Sequence, residues 1–123
     1  MSVTSWIPRS QALAHIAANG LQSADIRAVA AAAGGPTDTL TRVLAAAMTE
    51  PLKQQLLIDN AGGAGGTIGI NKAAKARADG YTLLLYHIGM ATSPALYRKL
   101  PYDTLNDFDA IGQIADVPMT LIR

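Results

Sequence analysis

An α/β domain with a mostly parallel sheet and flanking helices is predicted by three features of this 123-residue chain. Short apolar runs at 26–33, 56–58 and 81–86 alternate with segments of helical periodicity over short connections, the order β-α-β-α-β. Two of the strand-to-helix joints are glycine-rich, at 33–38 and 62–69. The third run, Tyr81 to Tyr86, is apolar throughout, as strands covered on both faces are.

Residues 1–25 stand apart as an N-terminal arm, weakly helical through Leu13, Ile16 and Ala17 and ended by Asn19-Gly20, so the domain proper takes 26–123. Ile26 to Ala33 is the first strand: its alanines favour helix, but a Gly-Gly-Pro turn into a helix follows it. Thr37 to Leu52 is a helix with an apolar stripe of Leu40, Val43, Leu44, Ala47 and Met48, closed by Pro51. Leu56-Leu57-Ile58 is a second strand, ended by Asp59-Asn60, and the second glycine turn opens a helix through about Ala78. Asp79-Gly80 ends that helix and the Tyr81–Tyr86 strand follows. Then come a loop from His87 to Pro94, a helical turn at Ala95 to Leu100 and a turn at Pro101-Tyr102-Asp103. Phe108 to Ala115 and Met119 to Ile122 are further strands, separated by Val117-Pro118.

A chain of this length buries about 65% of its unfolded surface in one domain. Half the residues are apolar, aromatics make up only 5%, and alanine is abundant, so the core is built of Leu, Ile and Ala. The formal charge is +1 with acids and bases interspersed, and no basic cluster with interleaved aromatics suggests a nucleic-acid surface. The absence of cysteine excludes disulfides and thiolate metal sites. No apolar run approaches the ~20 residues of a membrane span. Met1 to Ala24 carries one Arg, and its apolar residues are broken by His15, Asn19 and Gln22, so it does not read as a signal peptide. A chain expressed as it stands is therefore expected to stay in the cytoplasm.

The turn Gly34-Gly35-Pro36-Thr37-Asp38 places free backbone N–H groups at a helix N-terminus, which suits an anion. Neither glycine turn ends in the Gly-Lys-Ser/Thr of a phosphate loop. A dinucleotide fingerprint fails as well. Gly63 and Gly65 match its first two glycines, but Ile68 stands at the third, and no ribose-binding acid follows in the apolar run 83–86. A small carboxylate held by backbone amides fits better, between the Gly34–Asp38 turn and the His87–Ser93 loop, where Thr92 and Ser93 bring hydroxyls and Gly89 permits close approach. Each residue also has an ordinary role. Asp38 is a helix-start acid, His87 a lone strand-end histidine without metal or base partners, and the 62–69 glycines serve tight helix–strand packing. Tyr97, Tyr102 and Phe108 read as packing residues. No Ser-His-Asp or paired-carboxylate pattern, metal cluster or cofactor motif appears, so no enzyme activity is assigned. A nucleotide-cofactor enzyme domain and a degenerate, non-functional fragment remain as alternatives.

At these residues the chain resembles the Bug family, the solute receptors of tripartite tricarboxylate transporters. The matching stretches are Ala32-Ala33-Gly34-Gly35-Pro36-Thr37-Asp38, Asn60 with Gly63-Ala64-Gly65-Gly66-Thr67-Ile68-Gly69, and Asp79-Gly80-Tyr81-Thr82-Leu83-Leu84. Pro94-Ala95-Leu96-Tyr97, Leu100-Pro101-Tyr102-Asp103 and Asp107-Phe108 follow in the family's order and spacing. The resemblance implies the first lobe of a periplasmic-binding-protein type II-like fold, a periplasmic location, membrane permease partners, and ligands such as di- and tricarboxylates or acidic amino acids. Carried over, the contacts are Ala33, Gly34, Gly35, Thr37 and Asp38 on the first turn, Gly65, Gly66 and Thr67 on the second, and His87, Gly89 and Thr92 on the third loop. Ser23-Ala24-Asp25 and Ala30-Ala31 depart from the family's Pro-containing, Val-rich opening strand. The resemblance also places Arg123 about where the family's chain crosses into its second lobe. The chain alone is thus expected to bind weakly or not at all, and to self-associate through the surface a second lobe would cover.

Overall fold

The computed structural model describes residues 2–8, 26–30 and 35–116. The first part of the sheet is three parallel strands in the order β3-β2-β4, with β2 at Ile26–Ala30, β3 at Leu56–Asn60 and β4 at Thr82–Tyr86. The centre is β2, pairing Ala30 with Asn60 on one side and with Leu85 on the other. Beyond β4 the sheet continues through β1 (Ser2–Pro8) to β5 (Phe108–Asp116). Because β1 is antiparallel to both β4 and β5, every strand except β1 points the same way, in keeping with a mostly parallel sheet.

Strand β1 lies within residues 1–25, the stretch expected to be a weakly helical N-terminal arm, and belongs to the sheet. Ser2–Pro8 pairs Thr4 with Tyr86 and Pro8 with Phe108, so it joins two strands that do not pair with each other. Its register against β5 slips at Val3/Thr4 and Ser5/Trp6, as at β-bulges. The helix expected around Leu13, the end of the first strand at 31–33 and the strand at Met119–Ile122 lie outside the described residues.

Helix α1 runs Pro36–Leu52, starting on a proline that needs no N–H in a first turn. It ends at Lys53, whose left-handed conformation (φ 52°) lets its N–H bond the Glu50 carbonyl. The buried face differs from the predicted stripe. Thr37, Asp38, Thr41 and Ala45 face inward, Leu40, Leu44 and Met48 are half-buried, and Val43 is 61% exposed. Small side chains explain the rotation. Ala45 allows close approach to Leu56, and the Thr41 hydroxyl is satisfied within the helix by the Thr37 carbonyl at 2.6 Å, so it can be buried without cost.

Helix α2 (Thr67–Ala74) is shorter than the predicted span to Ala78, because the chain tightens at Ala76, whose N–H bonds the Ala73 carbonyl. Helix α3 (Gly89–Leu96) occupies what the sequence predicts as loop. Pro94 reads as a breaker, but it sits in the last turn. There the Met90 carbonyl that it leaves without an N–H accepts the Ser93 hydroxyl at 3.1 Å.

Two apolar layers cover the sheet. Ala45 and Leu56, flanked by Met48, Leu52, Ile58 and Leu83, lie beneath α1. The larger cluster, of Ile70, Ala73, Leu84, Tyr86, Met90, Tyr102 and Phe108, lies with α2 and α3. Leu83 and Leu84 are neighbours in β4 yet belong to different clusters, as period-2 alternation across a sheet requires. Helix α1 is therefore on one face, and α2 and α3 are on the other.

Candidate functional site

The parallel strands β2, β3 and β4 end at the same edge of the sheet, and each leads into a helix there. Three helix N-termini, those of α1, α2 and α3, are thus gathered at the carboxyl ends of adjacent strands. The central strand β2 sends its helix to one face while its neighbours send theirs to the other, the kind of switch point at which open α/β sheets take ligands. None of the three N-cap residues, Gly35, Gly66 and Ile88, supplies a side-chain cap, and on α3 the neighbouring His87 ring takes the Gly89 N–H instead. Part of the first-turn donors is met by the chain itself, since the Thr67, Met90 and Ala91 N–H groups bond the Ala64, His87 and Ile88 carbonyls.

On the first turn, Gly35 is extended (φ −92°, ψ 176°) and its carbonyl accepts the Thr39 N–H. Thr37 and Asp38 are both buried. Asp38 braces the site: its Oδ1 accepts Asn60 Nδ2 at 3.1 Å and pairs with Arg42 Nε at 3.1 Å. The contact with Asn60 ties the start of α1 to the end of β3. Ala33 and Gly34 lie outside the described residues.

The second turn is left-handed over Gly63, Ala64, Gly65 and Gly66, with φ values of 111°, 47°, 63° and 87°. Thr67 opens α2, and its hydroxyl donates to the Ala64 carbonyl at 2.9 Å. A Lys72–Asp59 ion pair at 2.6 Å fastens α2 to β3.

On the third, His87 Nδ1 accepts the Gly89 N–H at 3.1 Å, so the neutral ring carries its proton on Nε2. The ring stacks on Tyr86 with centroids 4.4 Å apart and planes at 18°. Burial lowers the His87 pKa below its ordinary 6.5, which keeps the ring neutral near pH 7 and its Nε2–H a donor. A base with a lowered folded pKa binds its proton less readily when folded. The fold should therefore hold this stability above 6.5 and lose it as pH falls through the lowered value. A histidine carbon-13 titration should give His87 a midpoint below that of a free histidine peptide, with the Gly89 amide resonance moving in step.

Thr92 and Ser93 are not loop residues. The Thr92 hydroxyl lies against the Ile88 and Gly89 carbonyls of its own helix, and Ser93 is buried, receiving the Tyr102 hydroxyl at 3.4 Å. Gly35, Thr37 and Asp38, then Gly65, Gly66 and Thr67, and then His87 and Gly89 do share the strand-end edge. Three residues that bear on the site are not among those the sequence nominates as contacts: Asn60, Tyr86 and Tyr97. The signal for Tyr86 is its place at the end of an apolar strand, where a buried hydroxyl must find a partner. Among the described residues no group of three or more His, Asp and Glu side chains gathers to hold a metal.

The chain matches the model of the tripartite tricarboxylate transporter family receptor over residues 40–123. It is 54% identical over 94 residues to a protein of Agrobacterium vitis described as a UPF0065 protein in the TAR-I ttuE-ttuC' intergenic region, a stretch that covers 76% of this chain and 27% of that one. It is 41% identical over 91 residues to Protein BugT of Bordetella pertussis, covering 72% of this chain and 28% of the relative. A solved chain described as a periplasmic transporter superposes with a TM-score of 0.63 at 42% identity, over 67% of this chain and 28% of that one. The sequence given thus spans under a third of the length of these relatives.

Proposed function

This chain belongs to the tripartite tricarboxylate transporter receptor family, and on that premise we propose that it forms one wall of a carboxylate site in a periplasmic solute receptor. The receptor would present its ligand to membrane permease subunits. The family is one of binding proteins, and the proposed role is binding without chemical conversion. The observation that carries this reading is the meeting of three helix N-termini at one edge of the sheet, none of them capped by its own N-cap side chain. Backbone amides with aligned helix dipoles stabilise a carboxylate without a dedicated cation. The charged side chains Asp38 and Arg42 are engaged with each other. Among the described residues no helix is long and apolar enough to cross a membrane.

The ligands proposed are di- and tricarboxylates or acidic amino acids. This 123-residue stretch carries only part of the contacts available to relatives of which it matches 27–28%. Each charge-assisted hydrogen bond is worth ~1.5–3 kcal/mol, so the isolated chain should bind such ligands only in the millimolar range. Calorimetry with citrate, succinate, glutamate, AMP and NAD tests this. Weak binding of the carboxylates alone is the expected result; a micromolar constant, or tighter binding of either nucleotide, contradicts it.

We also propose that the isolated chain self-associates, because Leu96 and Leu105 are each at least 75% exposed and Ile111, on β5, is exposed as well. Light scattering should show the apparent mass rising with concentration, and a constant monomer mass would refute it.

A further inference from the structure

The left-handed turn at Gly63–Gly66 is held from both within and without, its Ala64 carbonyl accepting the Thr67 N–H and the Thr67 hydroxyl at 2.9 Å. Four successive residues have positive φ, one of them an alanine, and within the turn the Gly66 N–H to Gly63 carbonyl bond at 2.8 Å spans its ends. Two tyrosines reach it from outside. The Tyr86 hydroxyl donates to the Gly65 carbonyl at 2.6 Å, and the Tyr97 hydroxyl donates to the Ala64 carbonyl at 3.2 Å. They arrive from different elements, Tyr86 from the end of β4 and Tyr97 from the residue after α3.

We propose that Tyr86 and Tyr97 are positioning residues for the anion site: by holding the Gly65 and Ala64 carbonyls they fix the peptides on either side of Gly65 and with them the direction of its N–H. The Gly66 and Thr67 N–H groups bond the Gly63 and Ala64 carbonyls inside the turn. The proposal rests on the carboxylate reading above. All peptide bonds described are trans, so a carbonyl held toward a tyrosine turns the N–H of the same peptide to the opposite side. Tyr97, with the Thr67 hydroxyl on the same oxygen, therefore fixes the Ala64 carbonyl and sets the direction of the Gly65 N–H, on an exposed residue.

The glycines make this arrangement possible. A Cβ on Gly65 would lie 2.5 Å from the Tyr97 hydroxyl oxygen, and one on Gly66 would lie 2.0 Å from that of Tyr86. Neither hydroxyl could reach the backbone past a side chain there. Tyr97 is 40% exposed and is not part of the core cluster, so its contact with the turn is more than a by-product of packing. Burial, with Tyr102 and Tyr97 nearby, raises the Tyr86 pKa above its ordinary 10.0 and keeps that hydroxyl protonated as a donor.

The test uses the full chain, nitrogen-15 NMR and citrate as the probe, with Tyr97→Phe and Tyr86→Phe. Each variant keeps the ring and removes only the hydroxyl, and the partly exposed Tyr97 site should fold even if the Tyr86 variant does not. The amide nitrogens of Gly65 and Gly66 report hydrogen bonding at the preceding carbonyls. Tyr97→Phe should shift Gly65, Tyr86→Phe should shift Gly66, and each should weaken citrate binding about fivefold, the loss of one hydrogen bond. Tyr97→Phe should leave the melting temperature unchanged, which separates positioning from a merely structural role. Shifted resonances with unaltered citrate affinity, or unshifted resonances, overturn the positioning role alone. If the unsubstituted chain shows no citrate binding at all, the anion site itself is overturned, and the positioning role with it.

Discussion

Gly66→Ala should lower the stability of the fold by about 3 kcal/mol or more and abolish the geometry of the second turn. An L side chain at the Gly66 φ of 87° carries a left-handed penalty of ~1–2 kcal/mol before any contact is counted. Its Cβ would then lie 2.0 Å from the Tyr86 hydroxyl oxygen and within 2.7 Å of two ring carbons. Tyr86 cannot swing aside, because it is 2% exposed among Ile70, Met90 and Phe108. Any shift that relieves the clash breaks its 2.6 Å bond to the Gly65 carbonyl. Urea denaturation measures the change, and a loss under about 1 kcal/mol would mean that the turn can relax.

Phe108→Ala is expected to cost about 3–5 kcal/mol, the range for truncating a buried phenylalanine. Phe108 is 1% exposed and opens β5, where its backbone pairs with Pro8 of β1. Its side chain belongs to the cluster that also holds Ile70 of α2, Tyr86 of β4 and Met90 of α3. The cavity therefore opens behind two of the three helix N-termini at the site. A domain of this size has ~5–15 kcal/mol in hand, so the variant should be largely unfolded at temperatures where the parent is native. Thermal melting by circular dichroism reads this directly, and a change in melting temperature of only a degree or two would contradict the core described above.

Much of the fold was legible because it is written locally. Pro36 and Asp38 mark the start of α1, the run at 56–58 lies within β3, the run at 81–86 contains β4, and Phe108 begins β5. What escaped depends on distant partners. Strand β1 is stabilised by pairing with β4 and β5, more than 75 residues away in sequence, which no local periodicity records. The buried face of α1 is set by the Asp38–Asn60 contact and by the small size of Ala45 and Thr41, against the larger apolar stripe that hydrophobicity favours. Helix α3 was hidden by Pro94, whose lost bond the Ser93 hydroxyl replaces. For the site, the glycines at 65 and 66 could be read from the sequence because the left-handed second turn needs them, whereas Gly35 has a φ of −92° that any residue adopts. Of the tyrosines that hold the second turn, Tyr86 leaves only the signal of a hydroxyl ending an apolar strand, and Tyr97 looks like packing until its hydroxyl has a partner.

The central claim is that three helix N-termini at one sheet edge form a single carboxylate-binding wall. It is tested most directly by mapping amide resonances of the full chain during a citrate titration. The predicted result is that the largest shifts fall together, with one shared midpoint, on Gly35 to Asp38, Gly65 to Thr67, and Ile88 and Gly89. Shifts concentrated on β5 or scattered over surface lysines and arginines would contradict it.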